Sequence, residues 1–181
     1  MFTGIDLSEE VKENLERLLT HLRPFAHLRW SAVYNLHITL KFIGEWSEAR
    51  LDEAGAALRR IQSRPAIPIA IRELGWFPNA HSPRVFWAGV SGGSQLAGLA
   101  RDVEDSLAPL GIAKETREYT PHLTLARIKQ PAPLQNLQDA IVALPSTEFG
   151  SFTATRFFLY RSQPGAAGTV YSKLSEYPFA E

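Results

Sequence analysis

The chain contains one four-residue pattern twice, His-Ile-Thr-Leu at residues 37–40 and His-Leu-Thr-Leu at 122–125. In a β-strand, side chains two residues apart lie on the same face. The histidine and threonine of each copy are therefore predicted to face one way, opposite the apolar residues between them. These four residues are His37, Thr39, His122 and Thr124. Two such faces brought together would place two imidazoles and two hydroxyl donors around one small anion.

This set of groups suits acid–base chemistry on a phosphate. Imidazole has an ordinary pKa of about 6.5, so one ring can be neutral and the other protonated near neutral pH. The neutral ring can take a proton from water while the imidazolium protonates a departing oxygen. The threonine hydroxyls would donate hydrogen bonds to the non-bridging phosphate oxygens.

A metal site and a purely structural pair are the alternatives for the two histidines. A catalytic metal site usually has a third protein ligand, often a carboxylate, and neither motif contains one. We therefore predict no metal ligands, no metal and no other cofactor. A single strand histidine is more often a hydrogen-bonded structural residue than a catalyst, and the repetition of the pattern is what favours catalysis here.

Residues that flank the motifs are further candidates for substrate binding. Lys41 shares the parity of His37 and is predicted to help hold an anion at the rim of the site. Strict alternation sends Phe42 to the core and Arg127 away from the cleft, although a bulge or a twisted strand end would bring either back. Four aromatic residues are candidate stacking platforms for a base, with core packing as the alternative. They are Trp30, Trp76, Phe77 and Trp87.

The elements that must position these groups follow a mixed helix and strand pattern. We predict helices after Ser8, after Ser47, after Gly92-Gly93 and over 134–144. Strands are predicted over 2–6, 28–31, 36–43, 67–74, 85–90, around His122, and over 152–160 and 170–174. The fold class is thus α+β: one bilobal domain over 1–181, with one motif per half. Its two antiparallel sheets would face a central cleft, with helices on the outer faces.

Composition limits the range of functions. The 19 lysines and arginines balance 19 aspartates and glutamates, which argues against a protein that grips long stretches of nucleic acid. The chain has no cysteine, which excludes disulfides, thiolate metal sites and a cysteine nucleophile. We see neither a signal peptide nor a membrane span and predict a cytoplasmic protein. One chain suffices for the cleft, so we expect a monomer with no protein partner.

The motifs and their surroundings resemble the two-histidine phosphoesterase superfamily. Within it, the chain is similar to the RNA 2′,3′-cyclic phosphodiesterases, also called 2′–5′ RNA ligases. The resemblance covers nearly the whole chain, and Ala32-Val33-Tyr34 departs from the family pattern in a loop that bears on base preference. The matching segments are 2–7, Arg29-Trp30, 35–44, Phe77-Pro78, 84–90, 121–127, Tyr160-Arg161-Ser162 and Tyr171.

The resemblance implies metal-independent opening of a 2′,3′-cyclic phosphate, on RNA ends or nucleotides, to a 2′-phosphate. His37 would be the general acid on the 3′ oxygen and His122 the base that activates water, although the sequence does not orient the substrate and the roles could be exchanged. Thr39, Thr124 and Arg127 would bind the phosphate. The reverse reaction, 2′–5′ ligation, is permitted by microscopic reversibility.

Two further functions stay open at the level of the sequence. A related enzyme could act on a different cyclic phosphate, such as ADP-ribose cyclic phosphate, or on 2′–5′ oligoadenylate. The fold could also be a non-catalytic module that binds RNA ends. The intact histidines argue against that module, because binding alone would be better served by more arginine and lysine.

Overall fold

A computed structural model describes residues 1–180 of the chain. Within them, four α-helices and nine strands alternate in an α+β arrangement. The helices are α1 (Glu9–Leu22), α2 (Leu51–Arg59), α3 (Gly93–Leu107) and α4 (Gln135–Val142). The strands are β1 (Phe2–Ile5), β2 (Arg29–Trp30), β3 (Ile38–Phe42), β4 (Ile67–Phe77), β5 (Val85–Ser91), β6 (His122–Arg127), β7 (Glu148–Ala154), β8 (Arg156–Gly165) and β9 (Gly168–Pro178).

The strands form two antiparallel sheets, and each sheet carries one motif. The first sheet has the order β3-β1-β8-β9, and the second has the order β2-β6-β5-β4-β7. His37 stands immediately before β3, and His122 is the first residue of β6. The first sheet combines strands from both ends of the chain, so the sheets do not coincide with the two halves of the sequence.

The first helix shows how the sequence sets the local structure. The Ser8 hydroxyl accepts a hydrogen bond from the Val11 N–H at 3.3 Å, which caps the helix as its sequence predicts. The apolar side chains of α1 recur at helical spacing and are buried as one stripe. They are Val11, Leu15, Leu18, Leu19 and Leu22. The stripe joins the inner faces of the sheets in one large apolar core, which leaves the other sheet faces for the motifs.

One predicted strand was wrong. The run 152–160 is divided at Thr155 into the end of β7 and the start of β8, which belong to different sheets. Ala154 pairs with Ile67 in the second sheet, whereas Phe158 pairs with Gly4 in the first. The apolar pattern continues through the break because the core lies against both sheets, so the sequence does not show the change of partner.

None of the helices in the described part of the chain is long and apolar enough to cross a membrane.

Candidate active site

Both motif histidines are oriented by the same local hydrogen bond. His37 Nδ1 lies 2.8 Å from the Asn35 carbonyl oxygen, and His122 Nδ1 lies 2.8 Å from the Thr120 carbonyl oxygen. A carbonyl can only accept, so Nδ1 carries the proton in both rings. Nε2 is therefore the atom that each neutral ring offers as a base and each protonated ring offers as an acid.

His37 lies in an aromatic environment on the first sheet. The Phe2 ring stacks on it with centroids 4.4 Å apart, and Tyr171 meets it edge-on at 5.1 Å. Tyr160 is 5.9 Å away and stacks in turn on Phe2. Gly4 completes the packing, because a Cβ there would come within 2.8 Å of the Ile38 carbonyl oxygen and contact the imidazole. This packing holds the His37 ring in place and shields part of it from water, so that the residue is half-buried.

The shielding changes the acidity of His37. Burial lowers its pKa below the ordinary value, because a charged imidazolium loses hydration there. The hydrogen bond to Asn35 and the charge of Asp6 oppose this lowering, and the nearby positive charges of Arg127 and His122 add to it.

A β-bulge brings Arg127 to the same face as His122. Trp87 pairs with Thr124 and Phe86 pairs with Ala126, which leaves Leu125 as an extra residue in β6. Leu125 and Ala126 are consequently both buried, and Arg127 is exposed on the motif face. The bulge that the sequence analysis allowed for is confirmed.

A matching bulge in β3 reverses the predicted positions of Lys41 and Phe42. Gly4 pairs with Thr39 and Thr3 pairs with Lys41, so Leu40 is the extra residue. Lys41 then points to the helix side, where it is 7% exposed, forms an ion pair with Glu104 at 2.9 Å and donates to the Ala113 carbonyl. The prediction that Lys41 holds an anion at the rim was wrong, because it rested on unbroken alternation.

Phe42 takes the place on the motif face that Lys41 was expected to have. Its side chain is 70% exposed, and it pairs in register with Phe2, whose ring packs on His37. Residues directly opposite each other on antiparallel strands share a face. Phe42 is thus the counterpart of Arg127, five positions after the histidine in each motif strand.

The four candidate stacking residues divide between two faces of the second sheet. Trp30 and Trp76 pack against the buried Phe86, with centroids 6.0 and 4.6 Å away, so both serve the core. Phe77 instead meets His122 edge-on at 5.0 Å and lies 5.2 Å from Trp87. Trp87 covers the backbone of Gly75, where a Cβ would fall 2.1 Å from the indole. Phe77 and Trp87 form the aromatic wall beside His122.

Two residues that the sequence analysis did not single out connect the site to its frame. The Asn35 side chain donates to the Thr169 carbonyl at 2.7 Å and so attaches the segment before β3 to the β8–β9 hairpin. The Tyr119 hydroxyl donates to the Thr39 carbonyl at 2.9 Å and so joins the two motifs. The sequence carried no signal for Asn35 as the group that orients His37, since that group is a backbone carbonyl, which any residue type supplies.

No group of three or more histidine, aspartate or glutamate side chains within residues 1–180 is arranged to hold a metal ion. The remaining histidines, His21, His27 and His81, are exposed.

Comparison with known proteins agrees with this geometry. A family model described as LigT like Phosphoesterase matches residues 5–87 and 90–171. The chain belongs to this family. Both motifs of this LigT-like phosphoesterase lie within the matched residues, so the resemblance to two-histidine phosphoesterases is confirmed.

Relatives of this LigT-like phosphoesterase match it over nearly their full length. A Methanocaldococcus jannaschii protein named RNA 2′,3′-cyclic phosphodiesterase is 33% identical over 177 residues, covering 98% of this chain and 99% of the relative. A Thermotoga maritima protein of the same name is 32% identical over 182 residues, covering 98% and 94%.

Solved structures share the fold. The crystal structure of TT0787 of Thermus thermophilus superposes with a TM-score of 0.82 at 30% identity, covering 98% of this chain and 96% of that chain. The crystal structure of E. coli LigT complexed with 3′-AMP gives a TM-score of 0.77 at 28% identity, covering 99% and 97%. The α+β fold class predicted from the sequence is confirmed.

Proposed function

We propose that this LigT-like phosphoesterase hydrolyses the 2′,3′-cyclic phosphate of RNA ends or nucleotides to a 2′-phosphate, with its own side chains as acid and base. The observation that carries the proposal is the paired presentation of His37 and His122. Each ring has its Nδ1 proton committed to a backbone carbonyl, and the Tyr119 hydroxyl bonds the segment before His122 to the strand of the first motif. The relatives named RNA 2′,3′-cyclic phosphodiesterase support this substrate class.

The proposed reaction is a single displacement at phosphorus. His122 Nε2 takes one proton from a water molecule while the oxygen of that water attacks the phosphorus. The bond between phosphorus and O3′ breaks, and His37 Nε2–H supplies the proton to O3′. One proton is taken up and one is released, so the pair of histidines ends with its total charge unchanged and the product keeps the phosphate on O2′.

The remaining motif residues would bind the phosphate. Thr39 and Thr124 share their faces with the two histidines, and Arg127 joins them through the bulge in β6. A guanidinium matches the geometry of phosphate oxygens and stabilises negative charge as it develops. Phe42 offers an exposed aromatic ring for the base. The anionic substrate would also raise the pKa of His37 and favour its acidic form on binding.

The test is phosphorus NMR of adenosine 2′,3′-cyclic phosphate with the protein and excess EDTA. We expect a 2′-monophosphate signal, and a rate roughly 10²–10⁴-fold lower for His37→Ala and for His122→Ala. His81→Ala is the matched control, since His81 is exposed on a loop and should leave the rate unchanged. Turnover that EDTA abolishes, or that both motif variants retain, would contradict the proposal.

The roles of the two histidines can be separated by the leaving group. A substrate in which a good leaving group replaces the 3′ oxygen needs no general acid, so it should restore the rate of the variant that lacks the acid. We expect restoration for His37→Ala and none for His122→Ala; the opposite result would exchange the roles.

We also infer that the protein works as a monomer and as one bilobal domain, because a single chain supplies both motifs, and that it works in the cytoplasm. Light scattering after size-exclusion chromatography tests the monomer.

Incubation of RNA carrying a 2′,3′-cyclic end with RNA carrying a 5′-hydroxyl tests the reverse ligation. A 2′–5′ linked product would support ligation, and hydrolysis alone would leave the enzyme a phosphodiesterase.

A further inference from the structure

Arg29 lies directly opposite Arg127 at the end of the second sheet. The two residues pair in register between β2 and β6, which places their Cα atoms about 4.5–5.5 Å apart. Paired residues share a face, so Arg29 projects on the same side as the Arg127 guanidinium. The neighbouring Trp30 faces the opposite way, where it packs on Phe86 and donates to the Ala26 carbonyl.

Two like charges directly opposite each other destabilise a sheet unless something compensates them. Neither arginine forms an ion pair within the residues the structure describes. Both are exposed, and Arg127 acts on His37 at the catalytic pair. The missing compensation is what an anionic ligand spanning both guanidinium groups would provide.

The sequence around this end of the sheet excludes acidic residues. The segments 24–44, 74–101 and 119–138 contain β2, β3, β5, β6 and the end of β4, yet they contain no aspartate or glutamate. Lys129 follows Arg127 by two residues, and the Arg84 carbonyl accepts a hydrogen bond from the neighbouring Ile128 N–H at 2.9 Å. The side chains of Arg84 and Lys129 are also exposed. The overall charge of zero therefore conceals a strongly positive end of the cleft, since the carboxylates lie elsewhere.

From this arrangement, and resting on the proposed function, we propose that Arg29 binds a second phosphate of the substrate. In RNA that ends in a 2′,3′-cyclic phosphate, the next phosphate is the one on the 5′ oxygen of the terminal nucleotide. Arg127 would bind the cyclic phosphate and Arg29 the 5′ phosphate, one on each side of the same ribose. Arg29 thus makes a 5′-phosphorylated nucleotide or an RNA end a better substrate than a nucleoside cyclic phosphate.

The experiment compares two substrates that differ in one group. They are adenosine 2′,3′-cyclic phosphate and the same compound carrying a 5′-phosphate. We expect wild-type kcat/KM to be roughly tenfold higher for the 5′-phosphorylated compound, because a charge-assisted contact is added. Arg29→Gln should remove this preference while leaving turnover of the nucleoside cyclic phosphate near the wild-type rate.

Controls distinguish binding from a general loss of charge or structure. Arg101→Gln removes an exposed arginine from α3 and should keep the preference. Arg29→Lys should restore part of it, since the charge returns without the planar guanidinium. With a dinucleotide that ends in the cyclic phosphate, Arg29→Gln should also weaken the salt dependence of log kcat/KM by about 0.7 per decade of salt.

The outcomes separate this inference from the proposed function. No turnover of either compound by the wild type would contradict the phosphodiesterase itself. Equal turnover of both compounds by the wild type, or a preference that survives in Arg29→Gln, would overturn the role of Arg29. An equal loss on both substrates in Arg29→Gln would show that Arg29 acts only by positioning Arg127, and it would also overturn the second phosphate site.

Discussion

The hydroxyl of Tyr119 donates a hydrogen bond to the backbone carbonyl of Thr39, 2.9 Å away. Thr39 belongs to the motif strand of the first sheet, and Tyr119 lies three residues before His122, which opens the motif strand of the second. Burial raises the pKa of the Tyr119 hydroxyl, which keeps it protonated as a donor over the range in which the histidines titrate. One hydrogen bond therefore links the strand of the first motif to the segment that leads into the second.

Removing that link should weaken both stability and catalysis. Tyr119→Phe leaves the Thr39 carbonyl without this donor, and we expect a loss of about 1–2 kcal/mol in the free energy of unfolding. We also expect a several-fold drop in kcat, because the separation of the two imidazoles becomes less well defined. Urea denaturation and steady-state kinetics measure the two effects. Tyr34→Phe is the control, since Tyr34 is 73% exposed; an equal effect of both variants would contradict the link.

The acidity of His37 should be visible in a direct titration. Its burial among aromatic rings predicts an NMR midpoint for the C2 proton below 6.5 in the free protein. Tyr171→Ala opens one side of the ring and should move the midpoint upward. A wild-type midpoint at or above 6.5 would contradict the shielding.

The same shift should affect stability in mild acid. The unfolded chain binds the His37 proton more tightly than the folded protein does. The stabilisation is therefore complete above about pH 6.5 and declines as pH falls from there through the lower folded pKa. His37→Gln should flatten this part of the curve of unfolding free energy against pH. An unchanged slope between pH 7.5 and 5 would mean that other groups account for it.

Lys41 is expected to stabilise the fold without binding substrate. Lys41→Ala leaves Glu104 without its partner in a largely buried position, and we expect the free energy of unfolding to fall by about 2–4 kcal/mol. At a temperature where the variant stays folded, its KM should match the wild type. Lys114→Ala serves as the comparison, because Lys114 pairs with Asp105 at the surface. A raised KM with unchanged stability would return Lys41 to the substrate site.

Phe42 is expected to show the opposite behaviour. Its ring is 70% exposed, so Phe42→Ala should change the free energy of unfolding by less than about 0.5 kcal/mol. If the ring stacks on the base, kcat/KM should fall roughly tenfold or more. Phe42→Trp should preserve kcat/KM, because stacking needs only an aromatic face. Equal kcat/KM for the alanine variant and the wild type would remove Phe42 from the binding site.

Asn35 is expected to affect catalysis only by orienting the His37 ring, without contacting the substrate. Its backbone carbonyl accepts a hydrogen bond from the His37 ring, and its side-chain amide donates to the Thr169 carbonyl, which anchors the residue. Asn35→Ala should lower kcat about three- to tenfold with little change in KM, as expected for one lost hydrogen bond. Asn136→Ala, an exposed change on α4, should have no effect. A change in KM alone would instead indicate that Asn35 contacts the substrate.

Several features of this protein were determined by the sequence itself. The repeated His-x-Thr-Leu singles out the proposed catalytic pair, because side chains two residues apart share a face of a strand over such short runs. The cap at Ser8 and the buried stripe of α1 follow from helical spacing. These features are local, so the residue types and their intervals were sufficient.

Pairing between distant strands decided the rest. Leu40 and Leu125 are extra residues only relative to β1 and β5, and these two bulges bury Lys41 and bring Phe42 and Arg127 to the motif faces. The change of sheet at Thr155 and the register between Arg29 and Arg127 likewise depend on the neighbouring strand. A bulge is a mismatch between two strands, so it has no signature in either strand alone. For this physical reason, the tertiary structure decided which residues surround the two histidines.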